Sequence, residues 1–126
     1  MHVFVNETPA EAGEAMRQLT AAEAPIVIVF IAQEGCGACE QYHPVFMQAA
    51  APYARAGLPF VQVDAAHADV EAQNWMSLMG VTATPTVLVV KRYRGIIAKL
   101  EGASDPVSTR RLLDTALANN RRDLPW

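Results

Sequence analysis

The sequence predicts an α/β chain, a mixed central sheet of about five strands flanked by about four helices. Three observations lead there. Short β-branched runs alternate with longer amphipathic stretches, an order that builds a sheet with helices on both faces. The run IVIVFIA, residues 26–32, is apolar on both of its faces, as a strand in the middle of a covered sheet must be. With 126 residues, 52 % of them apolar, the chain can bury a core of its own and is too apolar to stay disordered.

The elements follow in order. HVFV, residues 2–5, reads as a short first strand. Thr8-Pro9-Ala10-Glu11 reads as a helix start: Thr8 caps, Pro9 takes the first helical position, and Glu11 completes a capping box. Ala12, Met16 and Leu19 give that helix an apolar stripe, and Pro25 ends it. IVIVFIA is the second strand, and the stretch from Glu40 to Ala54 is mostly helical. FVQVD, residues 60–64, is a third strand and residues 70–79 a further helix. TVLVV, residues 86–90, and IIAKL, residues 96–100, form a hairpin across KRYRG. Asp105 caps a last helix with Pro106 at its first position. Leu113, Ala116 and Leu117 line its buried face, and Asn119-Asn120 end it. Residues 1–120 are expected to form a single domain, with 121–126 as a C-terminal tail.

The net charge of −3 gives no electrostatic reason to expect a nucleic-acid partner, and the basic cluster Lys91, Arg92, Arg94 fits a solvated turn. The longest apolar run has seven residues, against the roughly 20 of a membrane span. The N-terminus lacks a basic start followed by a long apolar run. A cytoplasmic monomer with no membrane partner is the expectation. In such a reducing compartment a purely structural disulfide is disfavoured.

Both cysteines, Cys36 and Cys39, lie in EGCGACEQYHP, residues 34–44. The pair falls just past the C-terminal end of a central strand, where sites of α/β sheets gather, and at the start of a helix. The unpaired N–H groups and positive dipole end there favour a thiolate. Gly35 and Gly37 permit a tight turn. Cys36 is therefore expected to be exposed and acidified, and Cys39, one turn later, more buried. An acidified Cys36 could attack a disulfide, and Cys39 could displace the product and close the ring. Cys36, Cys39 and His43 also form a C-x2-C-x3-H string, with His67 a conceivable fourth metal ligand. Zinc sites usually bring a second well-spaced pair, which this chain lacks. His43 directly precedes Pro44, which should push its backbone away from ideal helix. Pro85 opens a strand expected beside the cysteine strand. A cis Thr84–Pro85 bond would turn the Thr84 backbone toward Cys36, where a substrate strand could pair with it. An ordinary trans proline is the alternative.

Together these residues resemble the thioredoxin family. Cys36-Gly37-Ala38-Cys39 is similar to that family's CGPC. Residues 26–39 resemble the strand leading into it, and Pro44 the proline that kinks the active-site helix. FVQVDA resembles the third strand, Thr84-Pro85-Thr86 the cis-proline segment, and Gly102 the glycine before the last helix. The resemblance covers nearly the whole chain. It implies the thioredoxin fold and a thiol–disulfide oxidoreductase with no cofactor beyond the dithiol. Cys36 would be the nucleophile and Cys39 the resolving thiol. Gly35, Thr84 and Pro85 would meet the substrate, with Gly37, Ala38 and Pro44 as structural support. A protein disulfide would be the substrate, and a separate reductase or small thiol the electron donor. Four departures touch the active-site face: Gly35 for the usual tryptophan, Ala38 for proline, Thr84 for an aliphatic residue, and an apolar Val29 or Phe30 where many relatives carry a buried acid. Without that acid, Cys39 needs water, Glu34 or Glu40 as base. A thioredoxin-like module that binds a partner without turnover is the alternative function. Trp75 is expected in the core, and Trp126 either frays or docks.

Overall fold

The computed structural model describes residues 3–5, 25–67, 70–91 and 94–124. The expected helix from Thr8, the loop residues Arg92 and Tyr93, the side chains of His67 and Trp75, and Trp126 lie outside the described residues. Five strands form one sheet: β1 (Val3–Val5), β2 (Ile26–Ala32), β3 (Phe60–Asp64), β4 (Thr86–Lys91) and β5 (Gly95–Glu101). Their spatial order is β1-β3-β2-β4-β5. The left half, β1-β3-β2, is parallel, and β4 and β5 are antiparallel to their neighbours. Three α-helices are described: α1 (Gly37–Arg55), α2 (Val70–Leu78) and α3 (Pro106–Ala118). The expected mixed sheet with flanking helices is the architecture observed.

The two-sided apolar pattern of β2 has its cause here. Side chains alternate across a strand. Ile26, Ile28 and Phe30 enter a cluster with Tyr42 and Phe46 of α1 and Leu113 and Leu117 of α3. Val27, Val29 and Ile31 enter the opposite cluster, with Val61, Val63, Leu88 and Met76 of α2. Every residue from Ile26 to Ile31 is buried. Burying such a side chain stabilises the fold by about 1.5–3 kcal/mol, so β2 is the strand least free to shift, and it ends where the cysteines begin.

Helix α1 runs unbroken from Gly37 to Arg55 through both Pro44 and Pro52, with His43 inside it, in keeping with the helical reading of residues 40–54. Packing holds it on either side of Pro44. Tyr42 and Phe46 are buried, and Phe30 stacks on Phe46 at a centroid distance of 4.7 Å. A second tie joins the helices. The Thr109 hydroxyl donates to the Asp105 carbonyl at 2.9 Å, and the Tyr42 hydroxyl lies 2.6 Å from Thr109 Oγ1. Since the Thr109 hydrogen is committed, the Tyr42 hydroxyl donates. Burial raises the Tyr42 phenol above its ordinary value.

Helix α3 begins as the sequence indicates. Asp105 is its N-cap with an extended backbone, accepting from the Ser108 N–H at 2.7 Å and the Ser108 hydroxyl at 2.9 Å. After α3 the chain is pinned to the sheet. Lys91, at the end of β4, meets Asp123 at 2.8 Å and Asn120 Oδ1 at 3.1 Å.

Candidate functional site

The site is assembled from the ends of three strands. β2 delivers the loop Gln33–Cys36. The Cys36 N–H closes it onto the Gln33 carbonyl at 3.0 Å. Gly35 sits at φ +82, a left-handed conformation that an L side chain resists, so the turn calls for glycine here. Gly37 needs no such freedom: it opens α1 with space around its α-carbon. β3 contributes Asp64. Its Oδ1 accepts the Glu34 N–H at 3.1 Å and the Ala66 N–H at 2.9 Å, so one carboxylate fastens the cysteine loop to the neighbouring strand. Sequence reasoning gave Asp64 no such role. The available signal was an Asp at a strand end before small residues, the signature of an Asx turn.

Cys36 is the N-cap of α1, with φ −87 and ψ 103, and its Sγ accepts the Cys39 N–H at 3.1 Å. The two cysteines are joined by a disulfide with their α-carbons 5.2 Å apart. Cys39 is 3 % exposed and the more buried of the two, as the sequence suggested, whereas Cys36 is half-buried rather than exposed. The neighbour that covers it is the segment before β4. The Thr84–Pro85 peptide bond is cis, and both the carbonyl oxygen and the hydroxyl of Thr84 lie 3.8 Å from Cys36 Sγ. A hydroxyl and a backbone N–H therefore face the same sulfur as donors. Such donors strengthen when the sulfur carries charge.

The other candidates fall around this centre in different ways. Gly35, Gly37 and Ala38 form an exposed rim beside Cys36. Pro44 lies further along α1, on its exposed side, away from the sulfurs. Val29 and Phe30 are both buried, pointing to opposite faces of the sheet. Phe30 is the one under α1, with its ring edge-on to His43 at 5.7 Å. The second ring nitrogen of His43, Nε2, lies 3.3 Å from Gln62 Oε1, so this histidine is tied to β3. Among the described residues no group of three or more His, Cys, Asp or Glu side chains is placed to hold a metal ion. Nor is any described helix long and apolar enough to cross a membrane. A groove of about 480 Å³ opens on the Thr84 side, lined by Gln33, Gln73, Met76, Ser77, Thr82 and Thr84 among others, with no charged side chain among its described lining residues.

A helix capped by one cysteine of a disulfide, the other buried one turn later, and a cis-proline segment against the first sulfur define a thioredoxin-fold redox site in outline. The match to known families agrees. Residues 8–115 match the thioredoxin family, and the chain belongs to it. No curated protein sequence matches the chain. Solved structures share the fold at low identity. The reduced thioredoxin of Schistosoma mansoni superposes with a TM-score of 0.67 at 17 % identity, covering 91 % of this chain and 98 % of its own. The oxidised thioredoxin of Plasmodium falciparum gives 0.64 at 22 %, covering 90 % and 98 %. Chloroplastic thioredoxin z gives 0.66 at 16 %, covering 94 % and 96 %.

Proposed function

We propose that this protein is a thiol–disulfide oxidoreductase that exchanges the Cys36–Cys39 dithiol with protein disulfides. The observation that carries the proposal is the position of Cys36: its sulfur caps a helix, accepts the Cys39 N–H, and faces Thr84. In the reduced protein the Cys36 thiolate attacks one sulfur of a substrate disulfide. That bond breaks, one substrate thiolate leaves, and a mixed disulfide forms at Cys36. Cys39 gives up its proton to water, which passes it to the departed substrate thiolate, and attacks the Cys36 sulfur. The mixed disulfide breaks, the second substrate thiolate leaves, and the Cys36–Cys39 disulfide is formed. Two electrons have passed to the substrate, and a separate reductase or small thiol returns them. The dithiol is the only redox group this chemistry needs.

In the same proposal Gly35, Thr84 and Pro85 form the substrate platform. The Thr84 backbone pairs with an extended substrate segment, and the open rim at Gly35 admits it. Gly37, Ala38 and Pro44 support the helix start. Residues 1–120 act as one unit followed by the tail 121–126, working as a monomer in the cytoplasm. The test is to mix the reduced protein with an oxidised protein substrate such as insulin and quantify thiols on both. One Cys36–Cys39 disulfide formed for each substrate disulfide lost supports the enzyme. Thiols that stay inert while the substrate remains bound would replace it with a partner-binding module.

A further inference from the structure

The chain between α2 and β4 is irregular, yet several of its backbone groups are held by defined partners. The Gly80 and Val81 N–H groups return to the end of α2, to the Ser77 and Met76 carbonyls at 3.1 and 3.0 Å. The Ala83 carbonyl accepts the Thr86 hydroxyl at 2.7 Å, and the Pro85 carbonyl accepts the Gly102 N–H at 2.7 Å. The Gly80 carbonyl accepts the Lys99 ammonium, also at 2.7 Å. That ammonium pairs with Glu101 Oε1 at 2.7 Å, and the same carboxylate oxygen lies 3.5 Å from the Thr82 hydroxyl. The Thr84 carbonyl is the one turned to the Cys36 sulfur.

We propose that Lys99, acting with Glu101, is a positioning pair that holds residues 80–84 in the geometry that presents Thr84 to a protein substrate. Lys99 and Glu101 are two apart on β5, so they share one face of that strand. Among the described residues β5 pairs only with β4, and Lys99 lies opposite Leu88, whose side chain packs on the α2 side of the sheet, so both side chains stand on the face from which the loop after α2 departs. Gly80 turns the chain here: it sits at φ +69, a left-handed conformation that favours glycine, and a β-carbon built on it would be in ordinary contact with Lys99 Nζ at 3.7 Å. Lys99 and its hydrogen bond to Glu101 hold the Glu101 carboxyl below the ordinary carboxylate range. An exposed ion pair by itself contributes little. What sets this one apart is its third partner, a backbone carbonyl of the segment that leads into Thr84. Because the pair touches neither sulfur, its effect falls on docking rather than on thiol exchange.

The inference rests on the docking role given to Thr84 above, and kinetics separates the two. The substrates are oxidised insulin and a small aromatic disulfide that needs no strand pairing. Lys99→Met is expected to raise KM for insulin about threefold, with kcat and the rate on the small disulfide unchanged. Lys99→Arg keeps a donor in reach and should restore most of the loss. Glu101→Gln, which leaves Lys99 in place, should give a smaller rise, and it serves as the second probe if Lys99→Met folds poorly by thermal unfolding. An unchanged KM in both Lys99→Met and Glu101→Gln, or equal slowing on both substrates, overturns the positioning role. If the wild-type protein shows no preference for insulin over the small disulfide, the docking role of Thr84 fails first and the positioning role falls with it.

Discussion

Two helices of this protein begin with the same hydrogen bond made by different atoms. At α3 the Asp105 carboxylate accepts the N–H three residues on, at 2.7 Å; at α1 the Cys36 sulfur accepts the N–H three residues on, at 3.1 Å. Both cap residues have extended backbones. The geometry is therefore structural in origin and does not by itself make a site. What differs is the chemistry of the acceptor. The Asp105 carboxyl is held below its ordinary range by the Ser108 N–H and hydroxyl, so it is a fixed anion. The Cys36 sulfur gains a full charge only when the disulfide opens. A helix N-terminus favours an anion, so at α1 the cap rewards the reduced, nucleophilic state, whereas at α3 it rewards only folding. The surroundings complete the difference: Cys36 has Thr84 and a buried second cysteine beside it.

Exchanging the caps breaks this comparison most severely. Cys36→Asp should keep α1 capped and abolish turnover on a protein disulfide. Under reducing conditions it should be about 1 kcal/mol more stable than Cys36→Ala, the usual worth of a cap. Thermal unfolding with excess reductant and an insulin-reduction assay measure the two halves. Residual turnover in Cys36→Asp would mean that the sulfur at position 36 is not the reacting atom.

A smaller effect is expected at the tie between the two helix starts. Tyr42→Phe removes the hydrogen bond to Thr109 and should cost about 1 kcal/mol. It should also change the alkaline limb. The Tyr42 phenol is raised by burial, so its contribution is fully present below the ordinary tyrosine value and is lost as the pH rises through the folded-state value. Denaturant midpoints measured at rising alkaline pH should fall more steeply for wild type than for Tyr42→Phe. Parallel curves would show that Tyr42 does not govern that limb.

The smallest effect sharpens the contrast at Cys36. Thr84→Val removes a hydroxyl that can donate to the thiolate. The reduced form loses a stabilising partner, so the potential should become more negative by about 10–30 mV, where 30 mV corresponds to about 1.4 kcal/mol. Equilibration with glutathione reads the shift. A move in the opposite direction would mean that the hydroxyl favours the disulfide.

These outcomes bear on how much of the molecule was legible in its sequence. Strands β2 and β3 coincide with the runs IVIVFIA and FVQVD: a strand buried on both faces is written as a continuous apolar run, and β3, partly open at Gln62 and Asp64, still shows its buried Phe60, Val61 and Val63. Asp105-Pro106 marked the start of α3, because capping chemistry is local. The cysteine pair was visible for the same reason: its spacing puts both residues on one helical turn. The course of α1 through Pro44 was legible in outline, because helical patterning continues on both sides of the proline, where Tyr42 and Phe46 are buried. Asp64 reaches the Glu34 N–H across 30 residues, and Lys99 reaches Gly80 across 19. Their roles depend on which strands end side by side, which neither composition nor periodicity encodes. Exposed Leu78 belongs here too: it ends an apolar stretch of α2, yet only Met76 of the pair is buried.

The central claim is that the two cysteines have unequal jobs, Cys36 attacking and Cys39 resolving. Non-reducing electrophoresis of Cys36→Ser and Cys39→Ser after incubation with an oxidised protein substrate tests it most directly. Cys39→Ser should accumulate a mixed disulfide that added dithiol releases, because the attack remains and the escape is gone. Cys36→Ser should form none, because the remaining thiol is buried beneath the helix start. Equal trapping by both variants, or trapping by neither, would contradict the assignment.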